Sequence, residues 1–287
     1  MIWLDTLVQG ILLGGLYALF AAGLSLVFGI MRLVNLAHGD LIVLAAYLIL
    51  GVMGALGLHP FIAVLIAAPV MFCLGWLLQT YVLNRVLGED ILPPLLVTFG
   101  LSVVIQNGLL ESFSANSQKL AAGAIESQSL QFGPIAMGVM PLLTLASAVV
   151  VIFALNQLFY RTALGRAFRA TSDDTTTAQL MGIYPNRIFA MATGIALVVA
   201  TIAALYLGTR ANFDPSIGPA RLLYAFEAVI IGGLGSLWGT LAGGIVIGVA
   251  QAFGAAINPE WQILSGHIAF VLVLLLRPRG LFPRAND

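Results

Sequence analysis

The side chains that could carry out acid–base or metal chemistry are few and widely separated along the chain. The three histidines, His38, His59 and His267, do not form the HExxH pair of a zinc protease. The only lysine, Lys119, is not part of a GxxxxGK[ST] sequence, which a phosphate-binding loop requires. The single cysteine, Cys73, excludes disulfide bonds within the chain and a cysteine-based metal site. The sequence therefore predicts no catalytic residues, no metal site and no ATP-binding site.

Four polar side chains next to or inside apolar runs are candidates for another kind of role. Glu227 lies in YAFEAVIIGG, where an unpaired carboxylate would be costly, so it is a candidate functional group. Alternatively, Glu227 lies near the membrane surface or hydrogen-bonds a neighbouring helix. Asn35, His38 and Asp40 follow the first apolar run, where they could cap the next helix or take part in gating. We keep Asn35, His38 and Glu227 as candidate pathway or gating residues.

The segment 161–187, RTALGRAFRATSDDTTTAQLMGIYPNR, is polar and basic between two apolar runs. Ser172 or Asp173 could N-cap a short helix over 174–182, with Gly182 as its stop signal. Such a helix, lying along the membrane and flanked by arginines, would suit docking into the cleft of a partner. The alternative is a solvated loop whose arginines only set the membrane topology.

The composition places the whole chain in a membrane. Of the 287 residues, 60 % are hydrophobic and only 8 % are charged, whereas soluble domains carry about 25 % charged residues. The apolar runs are long enough for helices to satisfy their own backbone hydrogen bonds, and the short alternating segments of a β-barrel are absent. The formal net charge of zero gives no support for nucleic-acid binding.

The apolar runs predict an all-α integral membrane protein with about eight transmembrane helices. The stretch 222–257 is too long for one span, and its glycine-rich centre predicts a broken or re-entrant helix in 222–239. The predicted runs are 6–30, 40–57, 60–83, 92–110, 141–160, 188–208, the divided 222–257, and 262–276.

Charge predicts the orientation of these helices, because cytoplasmic loops are enriched in Lys and Arg. Most of the twelve basic residues fall on the side of the 161–187 segment, which is therefore predicted to be cytoplasmic. The N-terminus is then outside and the C-terminus cytoplasmic. Glycines at small-xxx-small spacing, such as Gly10 with Gly14 and Gly244 with Gly248, predict helix-packing seams, although some could permit helix movement or breaks.

The order of these motifs resembles the permease family of branched-chain amino acid ABC importers, LivH type. The resemblance rests on GGLYALFAAGLSLVFGIMRLVNLAHGD (14–40), LGRAFRATSDDTTTAQLMGI (164–183), YAFEAVIIGGLGSLWGTLAGGIVIGV (224–249) and LLLRPRGLF (274–282). It implies one transmembrane permease domain over 1–287 in the bacterial inner membrane, and makes the 161–187 segment a coupling loop. The residues implied in coupling to an ATPase are Gly165, Arg166, Arg169, Asp173, Asp174, Ala178 and Gly182.

The resemblance also implies partners. They are a second permease in a heterodimer, two cytoplasmic ATP-binding subunits that carry ATP and Mg²⁺, and a periplasmic substrate-binding protein. The expected function is translocation of branched-chain or related amino acids, with no bond changed in the substrate. Alternatives are a permease for urea, short amides or other small carboxylates, or a stand-alone channel that needs no ATPase.

Overall fold

The computed structural model describes residues 2–88, 90–132 and 135–282. Within these ranges the chain is almost entirely helical. The helices are α1 Ile2–Met31, α2 His38–Leu56, α3 Pro60–Tyr81, α4 Leu92–Phe113, α5 Val139–Arg161, α6 Ala163–Asp173, α7 Thr175–Leu180, α8 Pro185–Arg210, α9 Gly218–Gly232, α10 Leu237–Ile257 and α11 Trp261–Leu276. A short antiparallel hairpin, β1 Ser129–Phe132 and β2 Ile135–Gly138, lies in the connection between α4 and α5.

The prediction of an all-α membrane protein is confirmed. Seven helices in the described residues are long and apolar enough to span a membrane, and the 16-residue α11 is a shorter apolar helix. The eight together match the predicted number. The predicted placement of the termini on opposite faces would need an odd number of passes, and would be met only if the 15-residue α9 were counted as a ninth. The orientation itself stays a prediction.

Close backbone contact between α1 and α10 forms the largest packing seam. A Cβ on Gly14 would lie 2.5 Å from Cα of Ile245, and one on Gly248 would lie 2.4 Å from the Gly10 carbonyl oxygen. Because early residues of α1 meet late residues of α10, the two helices run antiparallel. The predicted glycine seam therefore lies within this chain, where close approach provides van der Waals contact that lipid cannot.

The predicted break in 222–239 is confirmed as a turn between α9 and α10. Gly233 and Gly235 have φ of +101° and +78°, values that favour glycine. The C-terminal segment covers this turn, since the amide nitrogens of Leu281 and Phe282 donate to the carbonyl oxygens of Ile231 and Gly232 over 2.8 and 3.0 Å. The last carbonyls of α9 thus receive partners from the far end of the chain.

Two helices begin inside the bundle instead of at its surface. The His38 ring nitrogen Nε2 lies 3.1 Å from the carbonyl oxygen of Phe20, near the middle of α1, so α2 starts deep in the bundle. The first residue of α9, Gly218, packs against the same place, because a Cβ on Gly39 would lie 2.0 Å from its carbonyl oxygen. The starts of α2 and α9 therefore meet with no room for side chains.

Candidate functional site

The 161–187 segment forms two short helices, α6 and α7, where one helix over 174–182 was predicted. The sequence missed α6 because its arginines and hydroxyl residues are also typical of a solvated loop. The predicted stop is confirmed: Gly182 has φ of +83°, and its amide donates to the carbonyl oxygen of Gln179 over 3.0 Å. Pro185 then begins α8.

The residue that caps α7 is Asp174, so the prediction of Ser172 or Asp173 was wrong. Asp173 still belongs to α6, whereas Asp174 has the extended backbone of an N-cap, and its Oδ1 accepts the amide protons of Thr176 and Thr177 over 2.9 and 3.0 Å. The Thr177 hydroxyl also donates to this carboxylate over 2.5 Å and holds the pKa of Asp174 below its ordinary value. The capping carboxylate therefore stays charged at neutral pH.

Two of the predicted coupling residues hold α6 against the end of α5. Gly165 packs so closely that a Cβ would lie 2.2 Å from the carbonyl oxygens of Leu158 and Phe159. The Arg169 guanidinium donates to the Phe159 carbonyl and lies 5.3 Å from the ring centroid of Tyr160. Both residues fix the angle between the two helices.

The inner face of α6 is anchored in the bundle. Phe168 is fully buried and stacks on Phe159 at 6.1 Å, and the Ser172 hydroxyl donates to the carbonyl oxygen of Gly29 in α1 over 2.9 Å. A displacement of α6 would therefore be transmitted to both α5 and α1.

The outer face of the segment exposes apolar side chains in a way that a solvated loop does not require. Leu180, Met181 and Tyr184 are 83, 78 and 67 % exposed, and we call these three residues the exposed tip. Arg166 is also exposed, whereas Ala178 is the buried residue of α7. The arrangement is a pair of short helices that presents a mixed basic and apolar surface outside the bundle.

The candidate gating residues Asn35 and His38 lie at the start of α2. The Asn35 Oδ1 accepts the amide proton of Ala37 over 3.0 Å, and the His38 ring bonds to the Phe20 carbonyl. The first contact closes a turn just before α2, whose N-cap residue is Ala37 and has no side-chain capping hydrogen bond, so the interpretation of these residues as a helix cap is wrong. A gating role for either residue stays a prediction.

Asp40, in the first turn of α2, is buried with donors on both carboxylate oxygens. The Ser102 hydroxyl donates to Oδ2 over 2.6 Å, and the Gln106 amide donates to Oδ1 over 3.0 Å. The N-terminal end of a helix also favours a negative charge. Asp40 therefore joins α4 to α2 in a site whose hydrogen-bonding capacity is used.

The third candidate, Glu227, is 2 % exposed and pairs with His267 of α11, whose Nδ1 lies 2.5 Å from Oε1. No hydrogen bond or ion pair among the described residues joins it to Asn35 or His38. The three candidates thus fall into two places in the bundle, and the sequence did not identify His267 as the partner. The signal for this partner is a histidine inside an otherwise apolar helix.

Further polar side chains connect to this pair through Tyr224. Tyr17 donates to Oε1 of Gln251 over 2.5 Å, and its ring lies 4.9 Å from that of Tyr224, which in turn stacks on His267. Arg210 and Arg221 both interact electrostatically with Tyr17.

Comparison with known proteins agrees with this architecture. Residues 6–276 match the profile of a family described as branched-chain amino acid transport system / permease component. The chain is 31 % identical to the high-affinity branched-chain amino acid transport system permease protein BraD of Pseudomonas aeruginosa, over 98 % of this chain and 96 % of that protein.

Two further relatives belong to the same group of proteins. The permease protein LivH of Salmonella typhimurium is 28 % identical over 98 % of this chain and 96 % of its own length. The permease protein LivM of Escherichia coli is 28 % identical over 50 % of this chain and 33 % of its own length.

Proposed function

This chain belongs to the branched-chain amino acid transport permease family, and from that premise we propose that it is a translocation subunit of an ATP-driven importer for branched-chain amino acids. Its residues 1–287 would act as one multi-pass permease domain in the inner membrane. The similarity to both LivH and LivM supports pairing with a second, different permease, because the two names mark two permease proteins of one kind of transport system.

The observation that carries the coupling part of the proposal is the surface of the 161–187 segment. An exposed tip of Leu180, Met181 and Tyr184 costs free energy in water, at roughly 25 cal/mol for each Å² of apolar area, unless a partner covers it. Exposed Arg166 of the same segment supplies positive charge for a carboxylate on that partner. A cytoplasmic ATPase would fit this surface, and α6 would pass its movement to α5 and α1.

The remaining partners and cofactors follow from this arrangement as part of the proposal. ATP and Mg²⁺ would be bound by two separate ATPase subunits, and this chain would change no bond in the substrate. A periplasmic binding protein would deliver the amino acid at the end of the bundle opposite the exposed tip. The proposal excludes a stand-alone channel, for which an exposed docking surface has no use.

Replacing two residues of the exposed tip tests the proposal. In the Leu180→Glu, Met181→Glu variant, we expect the permease to insert and fold but to lose copurifying ATPases and leucine uptake, because two carboxylates replace the apolar contact. Radiolabelled leucine uptake in cells and mass spectrometry of the purified complex are the measurements. Arg166→Ala should partially lower both the recovery of ATPases and the uptake of leucine, since it removes one surface charge.

Arg85→Ala is the matched control for Arg166→Ala. Arg85 is also exposed, and the Asn84 amide beside it donates to the carbonyl oxygen of Asn186, so it lies at the same end of the bundle. Uptake should be unchanged in this control. Full uptake and normal ATPase recovery in the Leu180→Glu, Met181→Glu variant would contradict the coupling assignment.

A further inference from the structure

A cavity of about 450 Å³ lies at the end of the bundle that carries the 161–187 segment. Its walls come from the last two turns of α1 and of α5, the turn before α10, the start of α10 and the C-terminal segment. The volume is within the range of roughly 300–1,000 Å³ that is typical of small-molecule sites. None of the described residues that line the cavity carries a charge.

One wall of the cavity carries a hydroxyl group without a partner. Ser25 in α1 is 1 % exposed and lines the cavity, and its Oγ is among the buried side-chain atoms of the described residues that make no hydrogen bond. Hydroxyl groups elsewhere in the bundle, such as those of Thr144 and Thr201, donate to the carbonyl oxygen four residues earlier over 2.7 Å. The Ser25 hydroxyl does not make this bond, so it remains a donor for an occupant of the cavity.

The start of α10 supplies further donors to the same cavity. Ser236 caps this 21-residue helix through its Oγ, which accepts the amide proton of Gly239 over 3.2 Å. Leu237 and Trp238 also line the cavity, and their amides make no hydrogen bond within the described part of the chain. Free amides at the positive end of a helix dipole favour an anionic group. The unpaired Ser25 hydroxyl, on a different helix, favours the same kind of group.

The remaining lining groups indicate what carries the anion. Leu26, Phe159 and Leu281 give the cavity apolar walls, which suit an aliphatic body. The phosphate of a membrane lipid is normally met by Lys or Arg, and neither occurs among the described lining residues. A carboxylate, by contrast, is held well by backbone N–H and hydroxyl donors. The lining therefore favours a small aliphatic carboxylate over a lipid headgroup.

The cavity shares its walls with the contacts that hold α6. The carbonyl oxygen of Gly29, which lines the cavity, accepts the hydroxyl proton of Ser172. The carbonyl oxygen of Phe159 accepts a hydrogen bond from the Arg169 guanidinium. An occupant of the cavity would therefore lie against the places where α6 meets α1 and α5.

We propose that this cavity binds a small aliphatic carboxylate, with the carboxylate group on the Ser25 hydroxyl and on the amides of Leu237 and Trp238. The inference rests on the proposed function, which supplies two sources of this chemistry on the side where the amino acid is released. One is the imported amino acid itself, and the other is the 2-oxo acid that forms when it loses its amino group. In either case the permease has a site for the product of import beside its coupling helices.

Photo-crosslinking without turnover tests the site directly. The purified complex with its ATPases and second permease is placed in nanodiscs, where both membrane faces are open to the solution. It receives photo-leucine, a leucine analogue with a diazirine in its side chain, but neither ATP nor the binding protein. After irradiation, mass spectrometry locates the label. We expect labelled peptides that contain residues 25–29, 156–160 and 235–238.

Competition then identifies the group that is recognised. Leucine should compete with the labelling, whereas leucinol, which lacks the carboxylate, should not. The 2-oxo acid of leucine distinguishes the two sources. Equal competition by the oxo acid shows that a carboxylate on its aliphatic body is sufficient, and competition by leucine alone assigns the site to the amino acid. Competition by leucinol as strong as that by leucine would overturn the inference.

Removal of the unpaired hydroxyl tests its role with little change in volume. In Ser25→Ala we expect labelling at a subsaturating concentration of photo-leucine to fall by about tenfold, the factor that corresponds to one lost hydrogen bond to a charged group. Ser112→Ala is the matched control. The Ser112 hydroxyl donates to the Gly108 carbonyl oxygen of its own helix over 2.7 Å, and Ser112 does not line the cavity. Labelling of this control should equal that of the wild type.

The outcomes distinguish this inference from the proposed function. A complex that retains its ATPases and takes up leucine, but carries the label elsewhere or keeps full labelling in Ser25→Ala, would overturn the inference alone. A retained lipid in native mass spectrometry, together with an unlabelled cavity, would do the same. Absence of both ATPases and leucine uptake would instead contradict the proposed function. Should Ser25→Ala fail to assemble, the labelled positions and the leucinol competition in the wild-type complex decide the question.

Discussion

Asp40 and Glu227 are both carboxylates buried among membrane helices, yet their surroundings differ. Asp40 has a donor on each oxygen, from Ser102 and Gln106, and lies in the first turn of α2. Glu227 has one partner, His267, and its second oxygen has none. The difference separates a carboxylate that holds helices together from one that retains binding capacity for something else.

The packing around the two groups differs in the same way. Beside Asp40 the starts of α2 and α9 touch through Gly39 and Gly218, which leaves no space for a ligand. Around Glu227 the neighbours are long or aromatic side chains, including Tyr224 and His267, which can change rotamer without moving a helix. At the first site backbone meets backbone beside the carboxylate, whereas at the second the carboxylate itself contacts a side chain, His267.

The largest effect is expected from breaking the close contact beside Asp40. In Gly39→Ala the new Cβ would lie 2.0 Å from the Gly218 carbonyl oxygen, so α2 and α9 must separate, at a cost of about 3 kcal/mol. We expect a clearly lower melting temperature of the detergent-solubilised protein, measured by fluorescence-detected size-exclusion chromatography.

Gly51→Ala provides the control for this prediction on the same helix. A Cβ on Gly51 meets no atom within 4 Å, and alanine favours a helix over glycine by about 1 kcal/mol. Its melting temperature should be unchanged or slightly higher. Equal melting of the two variants would show that the contact between the starts of α2 and α9 is not tight.

The next effect comes from applying one chemical change to both carboxylates. Asp40→Asn places an amide NH₂ opposite Ser102 or Gln106, which are donors already, and should cost about 2 kcal/mol. Glu227→Gln can keep its oxygen on His267 and place the NH₂ where no donor lies, and should cost less than about 1 kcal/mol. The melting temperatures of the two variants measure both losses of stability.

Transport should rank these two variants in the opposite order. At equal amounts of folded protein, leucine uptake should fall more in Glu227→Gln, because the variant loses the carboxylate oxygen that has no partner within the described residues. If Asp40→Asn impairs uptake of the folded protein more than Glu227→Gln does, the proposed division into a structural and a binding carboxylate is wrong.

A third carboxylate, Asp174, is exposed to water, unlike the two buried ones. Its replacement should have the smallest effect of the variants compared. Asp174→Ala removes the N-cap of α7, so the amides of Thr176 and Thr177 should exchange hydrogen faster while the melting temperature hardly changes. Because the pKa of Asp174 is lowered, the charged cap persists at neutral pH and is lost only as the pH falls through this lowered pKa. Unchanged exchange in the peptide 175–182 would argue against the cap.

Features of this protein that depend on residues close together in the chain could be predicted from the sequence. Glycine spacing indicates the seam between α1 and α10, and clustered glycines indicate the turn after α9, because both depend on local residue type. Apolar runs indicate the long helices for the same reason. The short α6 was missed although its own residues signal it, since the Thr162 hydroxyl caps its first turn and Phe168 is a buried apolar residue among polar ones.

The candidate sites were harder to predict because their partners lie far apart in the chain. Glu227 stands out as an ionisable group in an apolar run, but its partner His267 is 40 residues away. Asp40 looks like a simple helix cap until α4 brings Ser102 and Gln106 to it. Whether a buried carboxylate has an unused oxygen depends on such distant contacts, which residue spacing does not specify.

The contact between the C-terminal segment and the end of α9 also bears on how the chain is made. The carbonyl groups of Ile231 and Gly232 receive their hydrogen bonds from Leu281 and Phe282, which the ribosome adds much later than α9. Until then these carbonyls must remain near water or other temporary donors, since hydrocarbon offers none. Completing the end of α9 is therefore a late step of folding, which waits until the C-terminal segment can reach these carbonyls.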